Sequence, residues 1–160
     1  MTDDQNLDYA SLGAQLGALL KDESDALANS ANFVALLYNA MPDINWLGIY
    51  VLRDLELVLG PFQGKPACVH IPLGQGVCGT AAEELTTLRV ADVHEFEGHI
   101  VCDPESRSEI VVPLVRDGQL LGVLDIDSPL AARFDADDQA GIESLCKVFL
   151  KSIESTTAFI

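Results

Sequence analysis

The dipeptide Asp117–Gly118, set between the apolar runs Glu109–Val115 and Leu120–Ile126, limits the fold more than any other feature of the chain. Asp-Gly supplies the two positive φ angles of a tight hairpin turn, so the two runs are expected to pair as antiparallel strands. Other segments then read as strands of the same sheet. Trp46–Leu52 and Leu55–Gly60 flank the turn Arg53–Asp54, Ala67–Ile71 follows, and Leu88–Ala91 makes a short strand.

The period changes at both ends. Leu12, Leu16, Leu19 and Leu20 recur at helical spacing, and Leu27, Ala31, Val34 and Tyr38 form a second stripe that stops at Met41–Pro42. The last stripe, Ile142, Leu145, Cys146, Phe149 and Ile153, is headed by Asp135, Asp137 and Asp138, acids that suit a helix N-terminus. Gly74, Gly76 and Gly79 interrupt the chain before a short helix through Ala81–Glu84. These elements define an α+β fold, a central antiparallel sheet with helices packed on it. Residues 1–160 read as one domain, with helices in 1–41, the sheet in 43–128 and a closing helix in 135–155. The polar stretch 92–108 has no periodicity, and a loop of that length is usually functional or disordered.

Composition narrows the classes of function. Hydrophobic residues make up 49% of the chain and charged ones only 21%, which excludes a disordered chain. Nine basic residues against twenty-five acidic ones leave a net charge of −16, which argues against nucleic acid and anionic membrane surfaces as partners. No apolar run approaches the ~20 residues of a membrane helix. The opening segment carries acids where a secretory signal would carry Lys or Arg, so a cytoplasmic protein is expected.

The chemistry-bearing residues fall into two groups. Of the four cysteines, Cys146 lies on the last helical stripe and reads as a packing residue. Cys102 stands in the polar loop, where binding and catalytic groups concentrate. Cys78 follows the glycine-rich turn at the start of a helix, a location that favours a thiolate, and Cys68 borders a strand. On spacing alone each of these three is as readily a packing residue as a redox one. A metal site built from Cys68, Cys78, Cys102 and His70 or His99 lacks the close cysteine pair that zinc sites show. The second group is acidic. Leu121, Val123, Asp125 and Asp127 share one strand face, and two carboxylates on a covered face need a purpose, unless the strand has already left the core at Asp125. Trp46, Gly48 and Tyr50 share another face, which is either a ligand wall or aromatic packing.

The segments NWLGIYVL, CVHIPLGQGVCGTAA, HIVCDPESRSEIVVPL and GQLLGVLDIDSP together resemble the free methionine-(R)-sulfoxide reductases, which are stand-alone GAF domains. The hairpin is the general GAF signal; the three cysteines at intervals of ten and twenty-four are the narrow one. The resemblance implies that Cys102 is the catalytic cysteine, Cys68 the principal resolving cysteine and Cys78 a third that can enter disulfides. It further implies that Glu109, Asp125 and Asp127 surround the sulfoxide, with Trp46 and Tyr50 as pocket aromatics. The implied activity is reduction of free methionine-(R)-sulfoxide without a bound cofactor or metal, using electrons from a thioredoxin-type dithiol. A homodimer is also implied. The competing class is a non-enzymatic GAF module that binds a small effector; such modules are usually joined to output domains, for which this chain leaves no room.

The acid cluster sets a condition on the hairpin. With Arg116 facing Gln119 across a two-residue loop, Ile110 opposes Asp125 and Glu109 points to the wrong face. One bulge, for which Pro113 is a candidate because it has no ladder donor, brings Glu109 opposite Asp125. The active-site loop is also expected to move between the reduced and the Cys68–Cys102 oxidised forms.

Overall fold

The computed structural model describes residues 6–100, 102–156 and 159–160. Helices α1 (Tyr9–Leu20) and α2 (Ala26–Ala40) precede strands β1 (Trp46–Arg53), β2 (Glu56–Gln63) and β3 (His70–Pro72). Helix α3 (Gly76–Glu84), β4 (Leu88–Val90), β5 (Ser108–Arg116), β6 (Gln119–Ser128) and helix α4 (Ala136–Ser152) complete the chain. The strands form one sheet in the order β3-β2-β1-β6-β5-β4, and every neighbouring pair is antiparallel.

The helices begin where the acids place them. Asp8 and Asp25 accept bonds from the backbone N–H groups of Ser11 and Ala28, and Asp135 and Asp138 form a reciprocal capping box at the head of α4. Each cap satisfies N–H groups that the helix itself leaves without partners. The stripes of α1, α2 and α4 bury against one sheet face, where Leu47, Ile49, Val51, Ile110 and Leu124 meet them. Phe33 of α2 stacks on Phe149 of α4 with ring centroids 4.9 Å apart. Each large apolar side chain buried in this layer contributes ~1.5–3 kcal/mol. Cys146 is part of this helix-side core, as its stripe indicated.

The opposite face of the same strands carries the site. The period of two sends Leu47, Ile49 and Val51 to the helices and Trp46 and Tyr50 to the other side, where α3 packs. The main differences from the sequence reading lie at three places, with most other strand ends shifted by one to three residues. The β1–β2 turn centres on Asp54 and Leu55, the latter 80% exposed, and β3 lies at His70–Pro72 rather than Ala67–Ile71. Helix α3 begins at Gly76, so its first turn includes Cys78.

The β5–β6 hairpin turns at Asp117 and Gly118, both with positive φ (52° and 77°). It does contain a bulge, but on the other strand from the one expected. Val115 faces Leu120 while Leu114 faces Gly122, so Leu121 of β6 is the extra residue and Pro113 sits in the regular ladder opposite Val123. An extra residue on β6 shifts the register the opposite way from one on β5. Glu109 therefore faces Asp127, and Val111 faces Asp125. Glu109 still reaches the acidic face, by a different pairing.

Gly122 is required by this arrangement. A Cβ there would stand 2.1 Å from the carbonyl oxygen of Tyr50, inside the β1–β6 ladder. Gly122→Ala should therefore force the central strands apart and lower stability by about 1–3 kcal/mol, measured as a fall in the unfolding midpoint in urea. An unchanged midpoint would show that the two strands yield freely.

Candidate active site

Three strands and one helix converge on a small pocket. Glu109 enters from β5 and Asp125 and Asp127 from β6, with Glu109 and Asp125 only 6% and 5% exposed. Strand β6 remains in the sheet through Ser128, so Asp125 does not lie in a turn. On the neighbouring strand Gly48 faces Asp125 and Trp46 faces Asp127. The rings of Trp46 and Tyr50 lie 5.9 Å apart, and a Cβ on Gly48 would come within 2.5 Å of the Trp46 ring. Glycine therefore makes the space in which the indole lies. The indole Nε1–H donates to the carbonyl of Lys65 (3.1 Å), and the Tyr50 hydroxyl donates to the carbonyl of Cys68 (3.0 Å). These two aromatics are both packing residues and pocket walls.

Helix α3 covers the acids from the other side and brings in Cys78, whose thiol points at Glu109 Oε1 (3.8 Å). The segment 92–108 closes the mouth. Within it Val93–Glu95 forms a short 3₁₀ turn and Val93 is fully buried, so the segment is partly anchored rather than structureless. Cys102 is joined to Cys68 by a disulfide, with Cα atoms 5.6 Å apart. Together these side chains enclose a cavity of about 40 Å³.

No Lys or Arg side chain lines this cavity among the described residues. Burial pushes the Glu109 carboxyl well above the usual range, and the charge of Asp125 adds to the effect. Asp127 is raised well above it in the same way, by burial and then by Asp125. Asp125 is also raised by burial, but hydrogen bonds from Glu109 and Cys78 oppose the shift. All three carboxyls are thus raised, and each one that ionises makes it harder for the next. Cys78 departs from expectation here. The helix start favours a thiolate in water, but burial, followed by the charges of Asp125 and Glu109, raises this thiol well above its ordinary value. Cys78 stays protonated beside the acids.

All eight residues singled out in the sequence, Trp46, Tyr50, Cys68, Cys78, Cys102, Glu109, Asp125 and Asp127, border this one pocket or its disulfide. The cysteine–histidine metal arrangement is not formed, because Cys68 and Cys102 are bonded to each other and His70 pairs with Glu56 on the surface (2.9 Å). Sequence reasoning missed Asn45. Its Nδ2 donates to Asp103 Oδ2 and to Ser106 Oγ, both at 3.1 Å, and so ties the loop just beyond Cys102 to the head of β1. The Asp103–Pro104 turn signal was the available clue; its partner on a distant strand left no local mark.

Residues 9–152 match the GAF domain family. A free methionine-R-sulfoxide reductase of Escherichia coli is 51% identical over 148 residues, 92% of this chain and 90% of that protein. Among solved structures, the fRMsr of Staphylococcus aureus in complex with its substrate superposes with a TM-score of 0.88 at 50% identity, covering 92% of this chain and 96% of that one. A putative GAF sensor protein from Burkholderia vietnamiensis gives 0.87 at 55% identity, covering 91% and 96%. The chain belongs to the GAF domain family and, within it, to the free methionine-R-sulfoxide reductases.

The crowded acids carry a signature in stability. A carboxyl whose pKa is raised on folding binds a proton that the unfolded chain loses above about pH 4, so its contribution to stability declines as pH rises through the folded value. Asp127→Asn removes one such group. The variant should gain on the parent in thermal unfolding midpoint between pH 5 and pH 8, while any activity that depends on the cluster falls by about 10²-fold or more. A midpoint difference that is flat with pH would mean that Asp127 ionises without hindrance.

Proposed function

We propose that the chain reduces free methionine-(R)-sulfoxide to methionine through the thiols of Cys102 and Cys68. The observation that most supports this reading is a Cys68–Cys102 disulfide at the mouth of a pocket holding buried Glu109 and Asp125 and half-buried Asp127. In the reaction the sulfur of Cys102 attacks the sulfoxide sulfur as the sulfoxide oxygen takes up a proton. The sulfoxide S–O bond breaks as its oxygen passes to the Cys102 sulfur, the transient bond between the two sulfurs breaks with its electron pair going to the substrate sulfur, methionine leaves, and Cys102 is left as a sulfenic acid. The thiol of Cys68 then displaces water from that sulfenic acid and forms the disulfide. A thioredoxin-type dithiol returns two electrons by exchange and frees both cysteines.

The acids supply what the sulfur chemistry lacks. A sulfoxide is a poor target until its oxygen is protonated, and a carboxyl of this cluster, its pKa raised by burial, supplies the proton. Another of the three, ionised, is the carboxylate for the ammonium group of the substrate. A methionine within a peptide has no such group, which accounts for preference for the free amino acid. Trp46 and Tyr50 enclose the S-methyl end. In the oxidised form the loop lies on Cys68, and reduction releases Cys102 toward the acids.

Two substitutions separate the steps. Cys102→Ser should abolish consumption of NADPH in an assay with thioredoxin, its reductase and the free sulfoxide. Turnover near that of the parent would sink the assignment of the nucleophile. Cys68→Ser should still yield about one methionine per site in the first turnover, followed by slow cycling unless Cys78 substitutes. Loss of that first turnover would reverse the two roles. If the parent shows no turnover with its thiols reduced, the chain is instead a GAF binding module.

A further inference from the structure

Cys78 is a buried thiol for which the reaction above has no fixed task. Its sulfur, a carboxylate oxygen of Glu109 and a carboxylate oxygen of Asp125 all lie within 4.8 Å of one another. The three side chains come from α3, β5 and β6, and none is more than 6% exposed. Asp125 supplies an independent sign, because its Oδ1 is fully buried and has no hydrogen-bond partner. Buried carboxylate oxygens are rarely left in that state unless a ligand completes them.

We propose that Cys78, Glu109 and Asp125 form a site for a divalent transition-metal ion of the zinc class, and that an ion held there competes with the sulfoxide for the pocket. The donor set selects the class. A sulfur ligand with two carboxylates suits zinc or cobalt, with metal–ligand bonds of ~2.0–2.3 Å, whereas magnesium and calcium take oxygen alone. Ligands of such an ion stand ~3.5 Å apart, so side-chain rotations of about 1 Å close the observed triangle. Three protein ligands would leave one position of a tetrahedral ion for water or substrate, in a cavity that Asp127 also lines. The site is separate from the Cys68–Cys102 pair, which is bonded in this structure. Only the competition with sulfoxide rests on the function proposed above; the metal site itself does not.

The test uses cobalt(II), which reports a bound thiolate by an intense near-ultraviolet band. In protein oxidised at Cys68–Cys102 the free thiols are Cys78 and Cys146, the latter in the core on the far side of the sheet. We expect one equivalent of cobalt to bind and produce the band. Cys146→Ser should leave it unchanged, Cys78→Ser should remove it, and Asp125→Asn should weaken binding about tenfold or more. The same titration on the Cys68→Ser/Cys102→Ser double variant, whose loop is not held by a disulfide, tests whether a closed loop blocks entry. Absence of stoichiometric binding in both proteins, or a band that survives Cys78→Ser, overturns the site. Zinc inhibition that rises as sulfoxide falls and reverses with a chelator would support the competition. Stoichiometric cobalt binding by a protein whose metal-free, reduced form shows no reductase activity would refute the proposed function and leave the metal site standing; activity indifferent to stoichiometric zinc would overturn the competition.

Discussion

Glu109 faces Asp127 across the β5–β6 ladder because Leu121 is left out of it. With regular pairing up to the Asp117–Gly118 turn, Glu109 would point into the helix-side core, where a carboxyl has no partner and a large desolvation cost. One extra residue on β6 moves the carboxyl to the face that holds Asp125, Cys78 and Trp46. The placing of Glu109 beside the other acids, and with it the crowding of the pocket, follows from that offset. Bulges near functional sites commonly re-aim a side chain in this way.

The sheet divides its two faces by task. The helix side is an apolar layer closed by α1, α2 and α4, and it supplies most of the hydrophobic stabilisation. The α3 side buries Glu109, Asp125 and the Cys78 thiol beside half-buried Asp127, with no Lys or Arg side chain lining the pocket among the described residues, an arrangement that opposes folding wherever more than one acid ionises. Such a site is tolerated because the other layer offsets its cost. The burial that costs stability is the same feature that raises the pKa values of these carboxyls.

The elements that follow from local rules were legible in the sequence. The Asp-Gly hairpin, the helical stripes and the alternation that puts Asp125 and Asp127 on one face all depend on near neighbours. The need for a bulge was legible too, from parity alone. Its strand was not, because Pro113 marked β5 as the irregular partner while the close approach of Gly122 to Tyr50 depends on β1. Cys78 shows the same limit. Its helix start was apparent, but the acids that reverse the expected ionisation arrive from strands 31 and 47 residues away in the chain. Asn45 had no mark at its own position, and the only clue to its contact was the Asp103–Pro104 turn signal in the loop.

The two halves of the disulfide differ in how they are held. Beside Cys68, the Tyr50 hydroxyl grips its carbonyl and Leu59 binds the carbonyl of Val69, so this sulfur is mounted on the sheet. On the other side, Asn45 holds Asp103, the residue after Cys102. The bond between the two sulfurs therefore joins a strand-mounted residue to a loop that hangs from the head of β1 by a side-chain amide.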